Sequence, residues 1–269
     1  MRSSALGYVI AFANKLLKNE VNIMRVLTAT ILSLFPLLAT ASPLEDRAEA
    51  DVSASRGILI PTAETIGEGN LTVTDFEILF VNATYGVTDD LQVGVTTILP
   101  LFADMPTFAI FSGKLKVQES DTYQISVQPS ALILGDSGTY GGTLGVQALA
   151  DIVLDSEGSW VLSLSQNNMF AWGDGDFVSE GFAFTVGASL QGQISTKIKL
   201  LCELFTPGIV PFEGNAELFG EAAGFGYGVR FFGESLSGDI TFLRPLDPDL
   251  AANLNLLLGL PLLSITSRF

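Results

Sequence analysis

Two lysine pairs stand out in a chain that carries few charges. Lys114 and Lys116, and Lys197 and Lys199, are spaced i, i+2, which puts both members of a pair on one face of an extended segment. Arg230, Glu203 and Asp239 fall on the polar side of other alternating segments, as do Asp75 and Glu77. Cations gathered on one surface can bind or select an anionic solute. The same cations set against carboxylates can instead tie a polar interior together, and both readings stand at the level of sequence.

Catalysis has little to work with. The chain has no histidine, which removes Ser-His and Cys-His nucleophiles and the commonest metal ligand. Glu203 and Asp239 are the carboxylate types a glycosidase uses, but nothing in the sequence ties them together. Asp174 and Asp176, in Trp172-Gly173-Asp174-Gly175-Asp176, lack the ligand spacing of a calcium loop and read as an acidic glycine turn. Gly224, Gly226 and Gly228 open no helix, so they are not a dinucleotide fingerprint. Cys202 shares an apolar face with Ile198, Leu200 and Leu204 and reads as a small hydrophobe. The chain is therefore expected not to be an enzyme, with no catalytic residue, no metal site and no cofactor.

The elements that carry these residues follow one rule. Phe182, Phe184, Val186, Ala188 and Leu190 alternate with Ala183, Thr185, Gly187, Ser189 and Gln191. A period of two is a β-strand with one apolar face. The spacing predicts strands near 56–63, 69–84, 90–99, 107–118, 122–134, 142–154, 160–171, 180–192, 195–206, 218–233, 235–243 and 257–269. Tight connections (86–89, 119–121, 156–158, 193–194 and 234) alternate with longer ones rich in Gly, Pro and Asp (100–106, 135–141, 172–179, 207–217 and 244–256). Transmembrane barrels have short periplasmic turns and long outer loops. With the C-terminus periplasmic, counting back puts every tight turn on that side, and the count closes at an even number with both termini inside only if 56–63 is a first strand. The fold class expected is all-β: a single antiparallel up-and-down transmembrane barrel of about 12 strands, with 10 as the fallback.

Face chemistry says which medium meets the apolar side. A soluble sandwich would show water a face dense in Lys and Glu, whereas only 16% of this chain is charged. Ser, Thr, Gln, Asn and Gly replace them, as on Ser163, Ser165 and Asn167 or on Gln124, Ser126, Gln128 and Ser130. Lipid outside and a polar lumen inside fit that pattern. A basic residue on the lipid face near mid-bilayer costs about 2–4 kcal/mol, which explains why the charges segregate. Lys114, Lys116, Lys197, Lys199, Glu203, Arg230 and Asp239 are then expected to face the lumen.

The ends agree with export. Met24-Arg25, the apolar run Val26 to Leu38 and Ala39-Thr40-Ala41 read as a secretory signal peptide, with Ser42 the first mature residue and Met24 the expected start. Residues 42–55 read as a flexible periplasmic lead-in, and 56–269 as the barrel. Residues 1–41 hold four of the 13 basic residues and one of the 29 acidic ones, so the mature chain has net charge −19. That excludes a nucleic-acid partner, whose phosphates need a basic footprint. One cysteine allows no internal disulfide.

Three stretches add a likeness. Arg56-Gly57-Ile58-Leu59-Ile60-Pro61-Thr62-Ala63, then Gly67-Glu68-Gly69, then Tyr85 to Gly94 (YGVTDDLQVG), together resemble the N-terminal part of poorly characterised bacterial outer-membrane β-barrel proteins. Some of these are grouped with transporters of aromatic-degradation pathways. The alternating C-terminus ending on Phe269 is similar to the signal by which outer-membrane barrels are recognised for assembly, with Ser267 where such signals usually carry a second aromatic or apolar residue. The resemblance implies a bacterial outer-membrane location, the lipid bilayer and the assembly machinery as partners, and a transport role. From the residues themselves three readings stay open: a narrow channel or transporter for an unknown small solute, a non-conducting structural or surface-interaction barrel with a packed lumen, and a soluble exported β-sandwich.

Overall fold

A computed structural model describes residues 51–77, 79–99, 107–136, 139–155, 157–173, 181–211, 217–218, 223–246 and 259–269. The expected signal peptide, residues 42–50, Asp174 and Asp176 lie outside these. The strands are β1 (Leu71–Phe76), β2 (Phe80–Gly86), β3 (Leu91–Ile98), β4 (Thr107–Glu119), β5 (Tyr123–Asp136), β6 (Thr139–Val153) and β7 (Trp160–Gly173). They continue with β8 (Gly181–Ser195), β9 (Ile198–Pro211), β10 (Glu217–Leu218), β11 (Gly224–Phe231), β12 (Leu236–Pro245) and β13 (Leu260–Arg268). All ladders are antiparallel. β1 closes on β13, with Thr72 opposite Arg268 and Phe76 opposite Ser264, while β10 is a two-residue ribbon on the end of β9. The wall is thus a closed barrel of 12 strands. Closure leaves no unpaired edge, the condition for a sheet in lipid.

The count of 12 arises differently from the expected one. Residues 56–63 form no wall strand; Arg56 and Pro61 make only an isolated bridge to each other. The expected strand 69–84 instead folds back on itself as β1 and β2. Glu77 turns that corner with φ 57°, and Leu79 N–H donates to the Phe76 carbonyl at 3.1 Å. A left-handed glutamate is uncommon, and Phe-Glu-Ile-Leu carries no turn residue, so the hairpin was invisible to pattern reading. The expected loop 135–141 shrinks to residues 137–138 between β5 and β6.

The burial pattern is that of a water-soluble protein turned inside out. Arg230 and Glu203 are 0% exposed, while Ile265 is 60% and Leu144 58% exposed. Soluble proteins place such residues the other way round. Trp160 and Trp172 face outward at the two ends of β7, 12 residues apart, about 30 Å along the barrel axis at usual strand rise and tilt. They fall where aromatic girdles flank a lipid-facing band. Between them Gln166 and Asn168 also face out, with their amides hydrogen-bonded to each other at 3.3 Å. The apolar belt assigns this barrel to a bilayer, and closed barrels of this architecture are the outer-membrane type. The chain is an outer-membrane-type transmembrane β-barrel. The connections 87–90, 120–122, 154–159, 196–197 and 232–235 share the end expected to be periplasmic, while the equally short connections from β1 to β2 and from β5 to β6 lie at the other end.

Candidate functional site

The lumen is occupied by the chain itself. Residues 51–66 fold inside the periplasmic half of the barrel. Asp51, Val52, Ser53, Ala54, Ile58, Ile60, Thr62, Ala63, Glu64, Thr65 and Ile66 are all buried. The last five residues of the expected flexible lead-in therefore belong to a packed plug, as do all eight residues of the expected first strand. The alternation of Ile58, Ile60 and Thr62 is real, but its apolar members meet the inner wall rather than lipid. Pro61 could not have donated to a ladder.

Glu203, on β9, holds the middle of the plug. Its carboxylate accepts from the backbone N–H groups of Ile58, Leu59 and Ile60 at 2.6, 2.8 and 3.2 Å. The plug chain comes so close that a Cβ on Gly57 would lie 1.9 Å from Glu203 Oε1. Gly187 and Gly226 leave the matching space in the wall. A Cβ there would meet Ile60 Cδ1 at 2.5 Å and Ile58 Cδ1 at 3.2 Å.

Arg230, on β11, is clamped to Asp239 of β12 through Nε and Nη2, at 2.8 and 3.0 Å. This fork-to-carboxylate pairing orients the guanidinium whatever the plug does. Nη1 donates to the carbonyls of Ser53 and Arg56, and Nη2 to that of Gly57. Arg56, from the plug, reaches Asp239 at 2.8 Å and donates to Ser264 and Thr266 of β13. Lys199 Nζ meets Asp51 Oδ2 at 2.5 Å, and its ammonium lies 4.6 Å from the centre of the Phe232 ring.

The opposite wall holds the other end. Lys114, on β4, donates to the carbonyls of Ser55 and Glu64 at 3.0 and 2.8 Å. Ser126 of β5 donates to the Ala63 carbonyl, and Gln92 of β3 accepts from Ile66 N–H. Gln124, with its amide turned to suit its neighbours, donates to Glu64 and accepts from Lys116, both at 3.2 Å. Lys116 also pairs with Glu119 at 2.8 Å near the periplasmic mouth.

Of the residues singled out by sequence, Lys114, Lys116, Lys199, Glu203, Arg230 and Asp239 line the lumen, and all but Lys116 touch the plug directly. Lys197 does not join them. It lies in the exposed turn between β8 and β9, because β9 enters the ladder only at Ile198. Asp75 faces outward opposite Ile265, and Glu77 sits in the β1–β2 turn. Glu203 and Asp239 are each engaged by their own fixed partners and make no acid–base pair. Cys202 faces outward between Leu190 and Tyr227. Sequence reading missed the plug's own Asp51, Arg56 and Glu64. The available signals were Gly57 and Pro61 inside the supposed strand and the bare glycines on the inner faces of β8 and β11.

The expected polar lumen holds only for the periplasmic half. Toward the other end the inner face carries Phe76, Phe80, Ile98, Phe108, Ile110 and Leu132, with Phe80 and Phe108 packed edge to face at 5.8 Å.

Charges of both signs meet in the lumen. The wall buries Lys114, Lys199 and Arg230 with Asp151, Glu203 and Asp239, equal in number, and Lys116 is paired with Glu119. The plug brings Asp51 and Glu64 against Arg56, one negative charge in excess. Buried charges persist only when paired and hydrogen-bonded, which is why the seat and plug sequences must match.

No protein-family profile matches the chain, and no curated protein matches it. Solved structures of barrels resemble it in outline. A loop-deletion mutant of OmpT, an outer membrane protein of Vibrio cholerae, aligns with TM-score 0.40 and 9% identity over 71% of this chain, which spans 62% of that chain's length. The KdgM porin in complex with disordered oligogalacturonate aligns with TM-score 0.44 and 5% identity, covering 74% of this chain and 96% of that one. Omp33 of Acinetobacter baumannii aligns with TM-score 0.37 and 10% identity, over 74% and 95% of the two chains. Likenesses of this size go no further than barrel outline, and the membrane assignment stands on the chain's own apolar outer belt.

Proposed function

We propose that this barrel is a passage for small solutes across the outer membrane, closed at rest by residues 51–66 acting as a displaceable plug. The observation that carries this reading is how the plug is held. Wall side chains grip its backbone through hydrogen bonds and ion pairs, and water can replace every one of these when the segment leaves. A vacated seat would be a ring of mixed charges, which an aqueous pore tolerates. The transport role implied by the resemblance of residues 56–63 and 85–94 agrees with it, since those residues build the plug and the periplasmic turn that anchors it.

The test uses Ser53 of the plug and Ser237 of β12, whose hydroxyl oxygens lie 2.5 Å apart. Replacing both by cysteine, in a Cys202→Ser background, sets up a disulfide across plug and wall, whose sulfurs would sit about 2.05 Å apart. Oxidised protein in a planar bilayer is expected to stay closed. Reduced protein is expected to open intermittently and to pass small solutes in liposome swelling. If well-folded reduced protein passes neither current nor solute, the passage reading fails. The alternative is then a structural or surface-interaction barrel with a permanently packed lumen, a reading favoured by the number of hydrogen bonds and ion pairs that join plug and wall.

A further inference from the structure

We infer that Lys199 and Arg230 form a binding site for the carboxylate of a small solute, and that Asp51 occupies it as a built-in stand-in. Three features of the lumen support this. First, both cations converge on one oxygen: Asp51 Oδ2 lies 2.5 Å from Lys199 Nζ and 3.7 Å from Arg230 Nη1. Lys199 and Arg230 are register partners on β9 and β11, so the wall itself sets their separation. Second, the site is pre-oriented without the plug. Asp239 grips Arg230 through two other nitrogens, and Phe232 backs the Lys199 ammonium. A guanidinium held this way keeps its remaining edge turned to the lumen when Asp51 departs. Third, the carboxylate seated there belongs to the plug segment and not to the wall, so the anion can leave while the two cations stay in place.

The chemistry selects a carboxylate because that is the group already seated there, with both cations sharing one of its oxygens. As a transport site it rests on the passage reading, since in the unaltered chain Asp51 fills it until the segment leaves. A tethered carboxylate competes with a free one at the high effective concentration of an intramolecular group. Asp51 therefore makes the resting barrel blind to carboxylates and releases the site only on opening.

Chemical rescue tests this without relying on current. Asp51→Ala removes the carboxylate and leaves its space on the two cations. Full-length protein folded in detergent is titrated with sodium acetate, ionic strength being held constant with sodium chloride, and binding is read by calorimetry. Heat-modifiable migration on gels checks the fold of every variant. Asp51→Ala is expected to bind acetate at millimolar concentration and at least 10-fold more tightly than the unaltered chain. Adding Lys199→Gln should abolish the gain, and Lys199→Arg in its place should retain most of it. If folded Asp51→Ala binds acetate no better than the unaltered chain, or only as well as chloride competes for it, the assignment is wrong. Equal binding after Lys199→Gln also overturns it. Acetate binding by a barrel that never conducts would sustain this site and sink the passage reading, and conduction without acetate binding would do the reverse.

Discussion

Glu203→Gln should loosen the plug while leaving the barrel intact. The wild-type carboxylate accepts three backbone N–H groups, from Ile58, Leu59 and Ile60, at 2.6, 2.8 and 3.2 Å. Hydrogen bonds to a charged group contribute about 1.5–3 kcal/mol each. Glutamine has the same shape but keeps one acceptor oxygen; set at the Oε2 position it retains Leu59 and Ile60 as weaker, neutral bonds and turns an NH2 against the Ile58 N–H, whose bond is lost. A neutral amide is also cheaper to bury, which favours the lower end of the range. The docking free energy should fall by about 3 kcal/mol, or about a hundredfold in the open-to-closed ratio. The wall ladders of β8, β9 and β11 do not involve this side chain. The assay is amide hydrogen exchange on protein in detergent: protection at Ile58, Leu59 and Ile60 should drop about a hundredfold, with that of Leu201 in the wall unchanged. Unchanged protection at all three plug amides would refute the claim that Glu203 holds the segment. An equal drop at Leu201 would refute the claim that the plug moves independently of the barrel.

Steric eviction should give the same phenotype by another route. Gly187→Phe places a ring where Ile60 now lies and should raise conductance, whereas Gly113→Ala, whose Cβ would find its nearest neighbour at 3.8 Å, should behave as the unaltered chain. The plug should also respond to acid in one direction. Burial works to raise the Asp51 carboxyl, but the Arg230 and Lys199 cations beside it prevail and hold it below the usual aspartate range. A depressed carboxyl adds stability that is complete above its unfolded value, about 3.9, and is lost as pH falls through the lower folded value. Conductance should therefore show no Asp51-dependent change between pH 5 and 8, with opening favoured below about pH 4 and the acid response lost in Asp51→Asn. On the outer face, Leu204→Arg should destabilise the barrel by about 2–4 kcal/mol if that face meets lipid, read from denaturant-dependent folding into vesicles. A neutral result would contradict the lipid-facing assignment of Leu204.

The residues themselves show which parts of the molecule were legible. The strand from Gly181 to Gln193 carries an unbroken period of two and buries Ser189 and Gln191 inside as read. The β1–β2 hairpin was hidden because Glu77 adopts a left-handed conformation that its sequence neighbours do not announce. Lys197 was misplaced because the two-residue turn falls at 196–197, three residues later than expected, and takes it off the strand. The i, i+2 rule holds only while the chain remains extended.

The sequence alone determined the all-β class, the lipid-out and polar-in alternation, and the scarcity of charge on the outer face. These are local properties, since strand periodicity and the cost of a charge in hydrocarbon act residue by residue. Tertiary structure alone decided what fills the lumen. Whether Ile58 and Ile60 join the wall or lie against it depends on partners more than a hundred residues away: Glu203 for their backbone, and Gly187 and Gly226 for the space. The same contacts gave Lys114, Lys199 and Arg230 a use that their spacing had left open. Pattern shows which face of a strand is polar, and only the folded chain shows what that face holds.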